Sequence, residues 1–114
     1  MNLLLTLIFL VNFNLTSINC EAPISNDRFN KLYETIKIKN GDHQKYVLIN
    51  AYAQRECLSV KQILRFIDLI TEHKIKVSTV QSVYLHVYDF ENREQLITGF
   101  SEHEKFVVKK SLNK

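Results

Sequence analysis

Cysteine and histidine are the side chains here whose chemistry depends most on their neighbours. Cys57 paired with a histidine is the visible candidate for nucleophilic catalysis. Such a site needs a thiolate, a base within reach and a positioned oxyanion hole. Arg55, two residues earlier, would lower the thiol pKa by its charge. Cys57 also stands directly before Leu58 and a helix start, where a small half-buried residue packs well. Packing or a disulfide is therefore the expectation. The four histidines lie at 43, 73, 86 and 103. Zinc needs three or four ligands converging at about 2 Å, commonly at i, i+3 or i, i+4 spacing. No two of these histidines have that spacing. Glu72-His73 and Glu102-His103-Glu104 place charges side by side, but adjacent helical positions point about 100° apart. Gly41 and Gly99 are the two glycines, too few for a phosphate-cradling loop, and no EF-hand loop occurs. The expectation is no catalytic, metal or cofactor site.

These residues must be placed by a short chain of 114 residues, enough for one domain. Its opening differs from the rest. Leu3 to Val11 reads LLLTLIFLV, and no charged side chain precedes Glu21. An apolar run of this length fits the core of a signal peptide and falls short of the about 20 residues needed to span a bilayer. Residues 1–20 are therefore expected to form a signal peptide, cleaved between Ser17 and Cys20, and 21–114 one domain. The chain is expected to be secreted. Two readings of the two cysteines stay open. Cleavage after Cys20 leaves Cys57 alone; earlier cleavage lets the two pair in an oxidising compartment. A lipid-modified Cys20 is disfavoured by Asn19 before it. The sequon Asn14-Leu15-Thr16 lies inside the leader, so no N-glycan is expected on the mature chain.

One proline and two glycines argue against a fold rich in tight turns. Apolar residues instead recur at helical spacing: Phe29, Leu32, Tyr33 and Ile36; Tyr46, Ile49, Asn50 and Ala53; Val60, Ile63, Leu64, Ile67 and Ile70; Val80, Val83, Tyr84 and Val87. Ser59-Val60-Lys61-Gln62 has the form of a capping box, with Leu58 and Ile63 at hydrophobic-staple positions. Ser78-Thr79-Val80-Gln81 and Ser101-Glu102-His103-Glu104 repeat the signature. Asn40-Gly41-Asp42 suggests a glycine stop followed at once by a new N-cap. Helices are predicted near 26–39, 43–54, 60–72, 79–88, 91–98 and 102–112.

A shift of 34 residues lays Phe29 on Ile63 and Ile97, Ile36 on Ile70, Tyr46 on Val80, Ile49 on Val83 and Ala53 on Val87. The predicted fold class is all-α: a compact bundle of five to six short helices built from a helix-pair repeat of roughly 34 residues. The period matches tetratricopeptide repeats, but the Trp, Leu-Gly and helix-end Pro of that pattern are absent.

The segment Leu58 to Phe100 carries a family resemblance. It has the helix start Ser59, Val60, Gln62, an apolar run, then Tyr84, Val87, Asp89 and Asn92, closed by Phe100. This resembles the helical family "domain of unknown function 4476" (DUF4476), and Phe29 to Ala53 looks like the first part of the same domain. The resemblance implies an all-helical repeat domain and no particular activity. Thr71-Glu72-His73-Lys74-Ile75-Lys76 departs from the Asp- and Lys-rich loops of typical members. Asp89 and Asn92 are its most pointed polar residues. A ligand contact is one reading; the favoured one is that Asp89 ends a helix and caps the next, with Asn92 supporting the turn.

Ten aromatic residues exceed what a domain of this size must bury: Tyr33, Tyr46, Tyr52, Tyr84, Tyr88, Phe29, Phe66, Phe90, Phe100 and Phe106. Filling the core is the simpler account of them, and lining a groove for a protein or peptide is the other. The net charge of +3 comes from lysines interleaved with acids, such as Lys37, Lys39, Lys74, Lys76, Lys105, Lys109 and Lys110. Without a dense basic stripe, no specific nucleic-acid partner is expected. The leading expectation is a secreted, non-catalytic interaction module with an unknown protein or peptide partner. The rivals are a thiol-dependent enzyme or redox protein using Cys57, and a binder of acidic polysaccharide or anionic lipid.

Overall fold

The computed structural model of the chain describes residues 20–110 and residue 112. The predicted signal peptide and its sequon therefore lie outside the described residues, apart from Cys20. Among the described residues the elements are α1 Asn26–Lys37, α2 Asp42–Arg55, α3 Val60–Ile67, α4 His73–Val83, a 3-10 helix Phe90–Ile97 and α5 Glu102–Lys110. There is no strand among them. The fold is all-α, as expected.

Local sequence sets several of these boundaries. Ser25 Oγ accepts the Arg28 N–H at 3.2 Å and starts α1, with Asp27 in the first turn and Lys37 in the last. The capping box of α3 forms as predicted. Ser59 Oγ accepts from Gln62 N at 3.1 Å, and Gln62 Oε1 accepts from Ser59 N at 3.0 Å. The staple residues Leu58 and Ile63 are both fully buried. The box before α5 also forms, between Ser101 and Glu104.

Three boundaries correct the sequence reading. Gly41 is not a left-handed stop: it is extended (φ −141°, ψ 159°) and is itself the N-cap of α2, with Asp42 the first helical residue. Asp42 does not cap its own helix. Its carboxylate accepts the N–H groups of Thr71 at 3.1 Å and Glu72 at 2.8 Å, in the α3–α4 turn. That capture explains the other two differences. The helix predicted over 60–72 stops at Ile67, because the Leu69 and Ile70 amides turn back tightly to Phe66 and Ile67 and the next two amides belong to Asp42. Glu72, held there, becomes the N-cap of α4, so this helix begins at His73 and not at 79. Ser78 then falls inside α4, where the Thr79 hydroxyl donates to Ile75 O at 2.7 Å and the Ser82 hydroxyl to Thr79 O at 2.9 Å. Hydroxyls within a helix commonly bond back into it in this way.

The core joins all six elements: Phe29, Leu32 and Ile36 from α1, Ile49 and Ala53 from α2, and Ile63, Phe66 and Ile67 from α3. To these are added Val80 and Val83 from α4, then Tyr84, Leu96, Ile97 and Val108. Phe29 and Phe66 stack with centroids 4.8 Å apart and planes 10° from parallel. The Arg65 guanidinium lies over the Phe29 ring, 4.8 Å from its centroid, and over that of Tyr33 at 5.0 Å. The aromatic excess thus divides. Phe29, Phe66 and Tyr84 are buried, Tyr33, Tyr46, Tyr52 and Phe100 are half-buried, and Tyr88, Phe90 and Phe106 are exposed.

The 34-residue shift relates buried positions, such as Phe29 with Ile63 and Ile97. It does not relate equal elements. α1 has 12 residues and α3 has 8, α2 has 14 and α4 has 11, and the third unit opens on a 3-10 helix. A repeat of structure is not established by this fold.

Phe66→Ala removes a stacked, fully buried ring and is expected to lower unfolding stability by about 3–5 kcal/mol in urea titration. Phe106→Ala, at a ring 64% exposed, is expected to stay within about 0.5 kcal/mol of the parent. Equal losses for the two would contradict the packing described.

Candidate functional site

The segment Glu56 to Gln62, which comprises the α2–α3 link and the start of α3, gathers more long-range contacts than any local pattern suggests. Cys57 is disulfide-bonded to Cys20, with Cα atoms 5.6 Å apart. Both cysteines of the chain are thereby used. Of the two readings left open by the sequence, the structure takes the paired one, and Cys57 carries no thiolate in this state. The Cys57 carbonyl accepts the Ile24 N–H at 2.9 Å, and the Leu58 carbonyl accepts the Tyr88 N–H at 2.8 Å. Gln62 Nε2 donates to Ile24 O at 3.0 Å. Arg28 forms two bonds to the Glu56 carboxylate, at 3.3 and 3.2 Å, which holds the guanidinium pKa above its usual range. Arg55, the residue expected to acidify the thiol, instead donates to Ala51 O within its own helix.

Asp89 and Asn92 belong to the same node. Asp89 Oδ1 accepts the Val60 N–H at 2.8 Å, and Asn92 Nδ2 donates to Asp89 Oδ2 at 3.0 Å. The cap expected of Asp89 is therefore real but directed elsewhere. It closes the N-terminus of α3, 29 residues earlier, not the helix that follows. Burial, the largest influence on this carboxyl, pushes its pKa up, but the Asn92 and Val60 bonds together hold it below the ordinary range.

A cleft of about 520 Å³ opens beside this node, lined by Cys20, Gln54, Glu56, Leu85, His86 and Tyr88 among others. A second groove, about 490 Å³, runs between α4 and α5. Val77 and Val107 are half-buried in it, and His73, Lys74, Gln81 and His103 line it. His73 Nε2 lies 2.9 Å from Glu104 Oε2, and its ring meets Phe100 edge-on with centroids 5.6 Å apart. The Ser101 N–H first, and His73 second, hold the Glu104 pKa below its usual range. Two of the four histidines thus share a groove. His86 lines the other cleft, and His43 lies against Tyr46. Among the described residues, no three His, Cys, Asp or Glu side chains are grouped as metal ligands.

Two further polar contacts had no local signal. Tyr84, fully buried, donates its hydroxyl to Glu94 Oε2 at 2.9 Å, and Lys109 reaches Glu94 Oε1 at 2.9 Å. Lys109 and then the Tyr84 hydroxyl hold the Glu94 pKa down, while burial raises that of Tyr84. Arg93 lies 3.8 Å above the Phe90 ring and shields one face of an exposed aromatic.

Two measurements check this account. Asp89→Ala is expected to lower stability by about 1–2 kcal/mol and Asp89→Asn by less, because the amide oxygen still accepts from Val60 and only the exposed bond from Asn92 is lost. Similar losses for both would indicate that the charge, not the cap, matters. Asp42, Asp89, Glu94 and Glu104 all have folded pKa values below their unfolded ones. Their contribution is complete above the unfolded carboxylate range, around 4, and is lost as pH falls through it toward the lower folded values. The thermal midpoint should hold steady from neutral pH to about 5 and drop below that, with a shallower drop in Asp42→Asn.

Residues 23–112 match the family described as Domain of unknown function (DUF4476). No curated protein and no solved structure matches the chain. The match covers α1 through α5, including the Ser59–Gln62 box and the Asp89–Asn92 pair on which the resemblance rested, and the chain belongs to the DUF4476 family.

Proposed function

We infer that this chain is a secreted, non-catalytic helical module that binds a protein or peptide partner through the α4–α5 groove. The groove supports this reading most directly. Its apolar floor, Val77 and Val107, is flanked by polar side chains, the pattern that receives the apolar face of an amphipathic helix. Lys74 places a cation on its wall, while the Glu104 carboxylate is already engaged by His73 and the Ser101 amide. The favoured occupant is an amphipathic segment with acidic flanks. Two observations support export: the leader-like composition of residues 3–11, and a disulfide, which persists mainly in oxidising compartments. The Cys20–Cys57 bond weakens the thiol-enzyme alternative, since the nucleophile it requires is occupied.

Selection from a displayed library of random peptides tests the reading. Enriched peptides should show apolar residues at helical spacing with acidic flanks. They should bind Val107→Asp at least about tenfold more weakly, and bind Val47→Asp, altered on an exposed α2 valine, unchanged. Peptides indifferent to Val107→Asp, or no enrichment, would remove the groove as the site.

A further inference from the structure

We propose that the leader is cut on the N-terminal side of Cys20, within Ser17–Cys20, so that Cys20 is kept at or near the new amino terminus as a disulfide half. This rests on the export reading above and decides between the two cleavage readings the sequence left open: a mature chain beginning at Glu21 is ruled out, and one that keeps Cys20 is retained. The argument comes from residues 20–24, which are built into the folded domain. The Cys20 sulfur is bonded to Cys57. The Glu21 carbonyl accepts the Tyr88 hydroxyl at 3.2 Å. Ile24 packs half-buried against the core, its N–H bonded to Cys57 O at 2.9 Å and its carbonyl to Gln62 Nε2 at 3.0 Å. These contacts run along the strap in both directions from Glu21. A cut after Cys20 would discard the covalent end of a segment that is also held at Glu21 and Ile24. It would also leave the Cys57 thiol bare in the 520 Å³ cleft.

The chemistry is the same for each of the three retained amino termini. Proteolysis adds water across the Ser17–Ile18, Ile18–Asn19 or Asn19–Cys20 amide, giving a carboxylate on the leader and an ammonium on the mature chain. The Cys20 and Cys57 thiols then lose two protons and two electrons to a disulfide-bearing oxidoreductase of the export compartment. That enzyme is reduced to its dithiol as the Sγ–Sγ bond forms. The same bond excludes lipidation of Cys20, because a thioether to a diacylglyceryl group would consume the sulfur that Cys57 holds.

The test is intact mass and amino-terminal sequencing of the full chain, exported from a secreting host. Each is read before and after reduction and alkylation. The expected species begins at Ile18, Asn19 or Cys20, takes up no alkylating agent until reduced, and then takes up two equivalents. An exported species beginning at Glu21, with one thiol alkylated directly, overturns the proposal and leaves the export reading standing. So does an acylated Cys20. Retention of the uncut chain in the cells overturns both. A Cys57→Ser variant, which leaves the leader and Cys20 unchanged, separates processing from folding. It should be cut at the same bond, and a cut moved to Glu21 in that variant would overturn the proposed order of cleavage before disulfide formation.

Discussion

The unpaired amide groups at the start of α3 are the constraint on which this fold depends. A helix that begins in the protein interior must find acceptors for its first N–H groups, or lose their hydration without replacement. Here the acceptors come from separate parts of the chain. Gln62 Oε1 serves Ser59, Asp89 Oδ1 serves Val60, and Ser59 Oγ serves Gln62. The carbonyls just upstream are used as well, Cys57 by Ile24 and Leu58 by Tyr88. Meeting the needs of one helix end therefore ties the N-terminal strap, the α2–α3 link and the segment after α4 to a single point. Phe66, on the helix so anchored, then stacks on Phe29 of α1.

Asp42 applies the same logic at the start of α4. One carboxylate on the first turn of α2 takes two amides from the turn before α4, led in its effect on the pKa by the Glu72 bond. Both devices use a short acidic side chain to satisfy a helix start about thirty residues away in sequence. They fix the relative positions of helices whose apolar faces alone would allow some sliding.

That distance also marks what the sequence made legible. Caps within four residues were readable: Ser59 with Gln62 and Ser101 with Glu104 form as their spacing predicts. So was the core, since the helical stripes identified Phe29, Leu32, Ile36, Ile49, Val80 and Val83. The start of α4 was not readable. Its N-cap, Glu72, is positioned by Asp42, and the nearby Ser78-Thr79-Val80-Gln81 offered a local cap that the fold does not use. Asp89 was recognised as a cap, but its target on α3 was beyond local inference. Pairing of the cysteines was one of two open readings, decided by the approach of residues 20–24 to α3. The α4–α5 groove had no sequence signal, because His73 and Glu104 meet only when the two helices pack.

The disulfide has a topological consequence as well. Cys20 and Cys57, 37 residues apart, enclose the whole of α1 and α2 in a covalent ring. The turn between those helices, Ile38 to Asn40, is exposed, with Ile38 72% accessible. A protease that cut this turn would open the ring without releasing a fragment. The strap and α1 would stay joined through sulfur to α2 and everything after it. The exposed turn is thus a place where the backbone can be broken and the molecule still migrate as one piece, until a reductant separates its two halves.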